Sequence, residues 1–107
     1  MSPAPATMQV SVLTPAGPAY IGPACEVRAR SVEGGFGVLA GHAPLVAMLE
    51  PDVVVVRTET DIFYFAVIGG VIEVRPGSEV VVLADTADKR PTAEAAKARL
   101  AELQLPA

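Results

Sequence analysis

The feature that most constrains the fold is an alternation of apolar and polar residues with a period of two. Val10 and Val12 alternate with polar neighbours, and Cys25, Val27 and Ala29 alternate with charged ones. Successive side chains of a β-strand point to opposite faces, so each run predicts a strand with one face on a core and the other in water.

Denser runs of β-branched and aromatic residues follow, at 53–56, 62–68, 71–75 and 79–84. They are punctuated by turn-forming pairs, which are Pro51-Asp52, Thr60-Asp61, Gly69-Gly70 and Pro76-Gly77. Short strands at this spacing, with no helical period between them, are typical of antiparallel sandwiches and barrels. The chain is therefore predicted to be mainly β, an antiparallel β-sandwich or flattened barrel of about ten short strands. The glycine pair predicts a tight turn between two of them.

The period changes only after Pro91. The stretch from Thr92 to Gln104 is rich in strong helix formers, Thr92 is a suitable N-cap, and Glu94 suits the first turn. The apolar residues that share one face of this helix are Ala96, Leu100 and Leu103. A lone helix of this length is marginal in water, so we expect one short C-terminal helix that docks on the sandwich.

Composition bounds the class of protein. A chain of 107 residues fits one domain with a modest core. The net charge of −4 and the lack of a basic patch argue against a nucleic-acid partner. The hydrophobic fraction of 51% and the mean hydropathy of +0.45 are high for so small a chain. They predict either two sheets with fully apolar inner faces or a surface that another subunit covers.

Residues that could carry chemistry are scarce. One histidine and one cysteine cannot supply a metal cluster, no Ser-His-acid set can be nominated, and no glycine-rich phosphate loop ending in Gly-Lys-Ser/Thr occurs. We therefore predict no catalytic, metal, cofactor or nucleotide site, and no nucleotide hydrolysis by the purified chain. The apolar stretches are too short or too broken to span a membrane, so association with one would require a partner.

A distinctive segment runs from Gly35 to Leu45, with the sequence GFGVLAGHAPL. It holds three glycines, a proline and the only histidine of the chain, which predicts a shaped surface loop around a short strand at 38–40. Two roles stay open for His42. It can hold the loop shape by hydrogen-bonding a neighbouring backbone group, or it can contact another subunit.

This segment closely resembles the G-x-[LF]-G-[IV]-x-x-G-H-x-P-[LM] motif of the epsilon subunit of F-type ATP synthases. Two more matches follow in that family's order, GGVIEV at 69–74 and VVVLADTA at 80–87. The resemblance implies a flexible tail over 1–7, an epsilon-type β-sandwich over 8–88, and a short C-terminal helix and tail over 89–107. Typical bacterial members carry a helical hairpin after the sandwich, whereas only 19 residues follow Asp88 here. Whether this short form is natural or cut stays open, and the family's [IL]-D-x-x-R-A nucleotide pattern has no match.

The resemblance also implies a function. A chain of this family would be a non-catalytic rotor subunit of the central stalk, bound to the gamma subunit and to the ring of c subunits. It would couple proton- or sodium-driven rotation to ATP synthesis at the cytoplasmic face of a bacterial plasma membrane, which it would reach only through the complex. The residues that the resemblance places near the c ring are Gly35, Phe36, Gly41 and His42, with Glu33 standing in for an acidic residue that the family often has at position 35.

The competing hypothesis is a stand-alone small β-barrel that binds a ligand or acts as an interaction module. Its pocket would be lined by Phe36, Phe63 and Phe65. Co-elution with purified gamma subunit separates the two hypotheses, because a ligand-binding barrel would ignore gamma.

Overall fold

The computed structural model describes residues 6–106, which form eight strands and one helix. Most of the tail predicted over 1–7 lies outside the described residues. The elements are β1 (Met8–Thr14), β2 (Gly17–Ala24), β3 (Glu26–Ser31), β4 (Gly34–Leu39), β5 (Leu45–Leu49), β6 (Asp52–Arg57), β7 (Ile62–Arg75), β8 (Glu79–Arg90) and α1 (Ala93–Leu103).

The eight strands form one continuous hydrogen-bonded sheet, folded as a β-sandwich in which β7 and β8 extend through both layers. The hydrogen-bonded order is β2-β1-β8-β7-β5-β3-β4, and β6 pairs with both β3 and β7. Residues 62–67 of β7 pair with β6, whereas residues 70–74 pair with β5. The predicted mainly-β class is confirmed. One detail differs, because β1 and β8 pair in parallel, while the other seven pairings between described strands are antiparallel. The parallel pair joins the first and last strands, where a long connection is available.

The predicted tight turn at Gly69-Gly70 is wrong, because β7 runs through both residues without reversing. Gly69 has a φ of +64°, and the ladder between β7 and β8 resumes at Gly70, which pairs with Ala84. The glycine therefore lets the strand bend as it passes from the β6 layer to the β5 layer. Two runs that the sequence separates are one strand of 14 residues, which is one reason why the described strands number eight rather than about ten.

The glycine-rich segment is also more regular than predicted. Residues from Gly34 to Leu39 form β4, which pairs with β3 along its whole length. The irregular part is confined to the loop 40–44, where Gly41 has a φ of +84°. A surface loop is thus present, but it follows a full strand instead of surrounding a short one.

The core confirms the period-two pattern. Val10, Val12 and Val27 are fully buried, as their alternation with polar residues requires. The largest fully buried side chains are Phe65 and Ile72, one from each half of β7. One hydrophobic cluster joins both layers, so β7 anchors the two halves of a common core.

The C-terminal helix docks on the sandwich, as predicted. Helix α1 packs against β6, β7 and β8, and Ala96 is fully buried there. The Thr92 hydroxyl accepts a hydrogen bond from the Ala95 amide at 3.1 Å, which confirms the N-cap. Arg99 Nε donates to Asp88 Oδ2 at 2.7 Å, and this bond is the main reason that the pKa of Arg99 is raised. Among the described residues, no helix is both long and apolar enough to cross a membrane.

Candidate interaction surfaces

The turn between β3 and β4 presents the first predicted contact residue. Ser31, which is buried, accepts a hydrogen bond from the Glu33 amide at 3.1 Å and lies 3.4 Å from the Gly34 carbonyl oxygen. Gly34 adopts a φ of +125°, which closes the turn. Val32, 70% exposed, and Glu33 therefore stand together at a tip that the buried serine holds in shape.

A groove of about 620 Å³ extends from this tip between β4 and β5. We refer to it as the β4–β5 groove. Its lining consists of Ser31, Val32, Glu33, Gly34, Gly35, Phe36, His42, Leu45, Val46, Ala47 and Met48. Four of the five residues predicted to face the c ring line it, and the fifth, Gly41, is adjacent in sequence to His42.

These five residues do not form one compact cluster. Glu33 and Gly35 lie at the Ser31 end of β4, while Gly41 and His42 follow its other end, where Leu39 pairs with Glu26. At about 3.3 Å per residue, the six residues of β4 separate the two ends by roughly 17 Å. The structure therefore places the predicted residues along the length of a groove, with an acidic tip at one end and the histidine loop at the other.

The histidine loop is shaped by short-range bonds. The His42 amide donates to the Leu39 carbonyl at 3.0 Å, and His42 Nδ1 lies 2.7 Å from the Ala43 carbonyl oxygen. A carbonyl can only accept, so Nδ1 is the protonated nitrogen and Nε2 is an acceptor in the neutral ring. The ring is exposed. The histidine thus does hold its neighbouring backbone, and the same geometry leaves Nε2 free to accept a bond from a partner.

A second surface is the outer face of the layer formed by β5, β7, β8, β1 and β2. Met48 pairs with Val71, Val71 with Leu83, and Leu83 with Leu13. Directly paired residues lie on the same face of a sheet, so these four side chains form one apolar row across four strands. The neighbouring row on the same face is mixed: it holds the apolar residues Val46, which is 68% exposed, Val81 and Ile21, and the polar residues Glu73 and Ser11. We call the two rows the outer apolar face.

Exposure on this face is unusually high for large apolar side chains. Met48 is 69% exposed and Leu83 is 54% exposed. A contiguous apolar patch of this kind on a small domain marks an interaction surface. Val46 and Met48 also line the β4–β5 groove, so the groove and the face meet along β5.

A charged group lies at one side of the outer apolar face, with Glu73 in its second row and Arg75 and Glu79 just beyond that row. Arg75 Nη1 donates to Glu79 Oε1 at 2.8 Å, and Arg75 Nε also bonds to Glu73. The bond to Glu73, followed by the bond to Glu79, raises the pKa of the Arg75 guanidinium. The two carboxylates outnumber the single guanidinium, so this group is net negative and offers a partner hydrogen-bonding groups.

The exposed residues of β5 could not be identified from the sequence. The strand reads Leu-Val-Ala-Met-Leu, apolar at every position, so the period-two pattern gives no sign of which face is outward. Only the pairing of Val46 with Glu73 and of Met48 with Val71 shows that these side chains point away from the core.

The pocket expected of a ligand-binding barrel is absent from the described part of the chain. Phe65 is fully buried in the core. Phe36 lines the β4–β5 groove, whereas Phe63 lines a separate cleft beside Tyr20. The three phenylalanines are therefore not brought together. Among residues 6–106, no group of histidine, cysteine or acidic side chains has the geometry to hold a metal ion.

Comparison with known proteins connects this fold to one family. Residues 7–90 match the family described as the ATP synthase delta/epsilon chain, β-sandwich domain. The ATP synthase epsilon chain of Anoxybacillus flavithermus is 40% identical over 96 residues, which are 90% of this chain and 71% of that protein. The epsilon chain of Desulforudis audaxviator is 38% identical over 99 residues, 92% of this chain and 72% of that protein.

Solved structures share the fold. A chain of the Euglena gracilis mitochondrial ATP synthase, solved as an OSCP/F1/c-ring assembly, superposes with a TM-score of 0.75 at 24% identity, covering 99% of this chain and 71% of that one. A chain of the Tetrahymena thermophila mitochondrial ATP synthase central stalk and c ring gives a TM-score of 0.62 at 16% identity, covering 72% of this chain and 62% of that one. The match of the sandwich and the identity to known epsilon chains lead to one conclusion: the chain belongs to the ATP synthase epsilon-chain family.

Proposed function

We propose that this chain is a rotor subunit of the central stalk of a bacterial F-type ATP synthase, held between the gamma subunit and the c ring. It would act at the cytoplasmic face of the plasma membrane and reach the membrane only through the complex. The observation that carries the proposal is family membership combined with an outer apolar face that has no cover within the described residues. Its role would be mechanical, transmitting ion-driven rotation of the ring to the catalytic head.

The outer apolar face is the surface we assign to gamma. Its rows cross five strands of one layer, and they present side chains whose burial would stabilise a complex by the hydrophobic effect. Glu73 in the second row and the Arg75–Glu79 pair beyond it offer the polar groups that protein interfaces usually have at their rim. Because the face is part of a sandwich with one continuous core, we expect it to bind without a change of shape.

Two leucines make a matched test of this assignment. Leu83 lies on the outer apolar face and is 54% exposed, whereas Leu39 lies on β4, outside that face, and is 53% exposed. We expect Leu83→Asp to weaken binding to purified gamma by tenfold or more, because the charge would be buried without a partner at the interface. Leu39→Asp should leave binding unchanged. Calorimetry or co-elution measures both.

Equal effects of the two leucine substitutions would refute the assignment to the outer apolar face. A wild-type chain that fails to bind gamma at all would refute the central-stalk proposal itself.

The c ring is assigned to the β4–β5 groove. We propose that Glu33, Gly35 and Phe36 contact the ring from the tip end, and that Gly41 and His42 contact it from the loop end. Gly35 leaves a gap beside the strand where a bulkier chain would stand, since a Cβ added there would meet only the Ala29 carbonyl oxygen, at 3.9 Å. A partner's side chain could therefore approach the backbone closely at this point.

Charge reversal at the tip tests the contact. Glu33→Lys should weaken attachment to c-ring-containing membranes, while Glu59→Lys, in the turn between β6 and β7 at the other end of β3, should not. His42→Ala tests the loop end separately in the same membrane-binding assay. Loss of attachment with Glu33→Lys alone would confine the ring contact to the tip and contradict the assignment of His42.

A further inference from the structure

Ser78 has an unusual backbone. In the turn between β7 and β8 its φ is +58°, and it is the only residue other than glycine with a positive φ among residues 6–106. Gly77, which precedes it, has a φ of +84°. Glycine is the residue that normally occupies such a conformation, because a Cβ makes it unfavourable. A serine at this position therefore calls for a reason that a glycine could not supply, namely its hydroxyl group.

The hydroxyl and the carbonyl of Ser78 link three distant segments. The Gly41 amide donates to Ser78 Oγ at 3.2 Å, across 37 positions of sequence. The Gln9 amide donates to the Ser78 carbonyl at 2.9 Å. The β4–β5 loop, the start of β1 and the turn between β7 and β8 thus converge on one residue.

The other hydrogen bonds of the loop are local. His42 bonds through its amide to Leu39 and through its ring to Ala43, so these bonds shape the loop without fixing it to the rest of the molecule. Apolar packing of Ala40 against the core holds its first residue, while Gly41 to Pro44 are exposed. The side chain of Ser78 is thus placed to fix the exposed part of the loop.

We propose that Ser78 is a positioning residue that holds the β4–β5 loop against the turn between β7 and β8, and thereby sets where His42 is presented. The consequence for partner binding rests on the proposed function, because only there does His42 contact the c ring. The positioning itself is a property of the isolated chain.

Two substitutions separate the hydroxyl from the backbone strain. Ser78→Ala removes Oγ and keeps the strain, whereas Ser78→Gly removes both. Amide hydrogen exchange of the full chain, followed by NMR, reports the bond directly. We expect the Gly41 amide to exchange roughly three- to tenfold faster in both variants, as the loss of one hydrogen bond predicts. The Cys25 amide, bonded to the Arg57 carbonyl at 2.7 Å, is the internal control and should not change.

The single histidine of the chain gives a second readout, because its ring signals need no assignment against other histidines. In both variants these signals should move toward the values of an unstructured peptide. Ser78→Gly should melt at a higher temperature than Ser78→Ala, since it relieves the positive φ. Unchanged Gly41 exchange and unchanged His42 signals in folded Ser78→Ala would overturn the proposal.

A final measurement distinguishes this proposal from the proposed function. If His42 contacts the c ring, Ser78→Ala should weaken attachment to c-ring-containing membranes in the same direction as His42→Ala. Faster Gly41 exchange in isolated Ser78→Ala, together with full membrane attachment of Ser78→Ala and His42→Ala, would uphold the positioning role of Ser78 and refute the ring contact of His42. Weaker membrane attachment of His42→Ala, together with unchanged Gly41 exchange in Ser78→Ala, would uphold the ring contact of His42 and refute the positioning role of Ser78.

Discussion

The bend in β7 makes a quantitative prediction at Gly69. Its φ of +64° lies in the left-handed region, where a residue with a Cβ loses about 1–2 kcal/mol. A Cβ built at this position would also overlap the Asp85 carboxylate, with Asp85 Cγ only 2.9 Å away. Asp85 is exposed and can turn aside, at a cost of about 0.5–1.5 kcal/mol for a less favourable rotamer. Gly69→Ala should therefore destabilise the fold by roughly 2–3 kcal/mol.

Thermal unfolding followed by circular dichroism measures this loss. In a domain of about 100 residues, 1 kcal/mol corresponds to roughly 4–8 °C in melting temperature, so the expected fall is about 10–20 °C. Gly35→Ala is the matched control. Gly35 is also in a strand but has no positive φ, and its added Cβ would be 3.9 Å from the nearest atom. This control should be neutral or slightly stabilising, because alanine restricts the unfolded chain.

A double-mutant cycle divides the loss into its two causes. Adding Asp85→Ala to Gly69→Ala removes the steric overlap and leaves the backbone strain, so the pair should recover about 0.5–1.5 kcal/mol and no more. Full recovery in the double variant would show that the positive φ costs nothing. A Gly69→Ala variant with the same melting temperature as the wild type would refute both the backbone strain and the steric overlap.

Three other predictions follow from the described contacts. His42→Ala should shift the melting temperature of the isolated chain by no more than a few degrees, because its ring is exposed and bonds only to Ala43; a large fall would favour a structural role. Deleting residues from Thr92 onward should not raise ATP hydrolysis by the assembled complex, since α1 has 11 residues and is only about 16 Å long. The deletion should lower the melting temperature, because it exposes the surface of β6, β7 and β8 on which α1 packs. A several-fold rise in hydrolysis would contradict this length argument. Burial raises the pKa of Tyr20, so the neutral phenol favours the folded state; this stability is present below about pH 10 and is lost as pH rises through the raised pKa. Melting temperatures between pH 8 and 11 should show a smaller alkaline loss for Tyr20→Phe than for the wild type.

Local chemistry made much of the fold predictable from the sequence. The buried positions of β1 and β3 follow from alternation alone, and the helix has its cap, its first-turn glutamate and its docked face where residue types indicate them. The candidate surfaces could be predicted from the sequence only in part. Glu33 could be named because the resembled family often has an acidic residue two positions later, whereas Val46 and Met48 could not, because β5 has no polar face.

The errors have a common physical origin in glycine. A glycine pair between apolar runs is compatible with a reversal and with a bend, and the sequence does not say which. At Gly69 the choice is made by β8, whose residues pair with both halves of β7 and keep the strand continuous. In β4 the partner strand β3 likewise supplies regular hydrogen bonds to residues whose own preference is weak. Tertiary pairing thus overrides a local signal that is ambiguous.

The shared strand β5 links the two proposed interfaces. Val46 and Met48 line the β4–β5 groove and also belong to the outer apolar face, so a partner that covers the face would form one wall of the groove. Neither residue can therefore report on one interface alone. Leu83 and Glu33 are better probes, because three strands separate β8, which carries Leu83, from β4, and Glu33 lies beyond the end of β3. If both proposals hold, gamma and the ring would meet along β5.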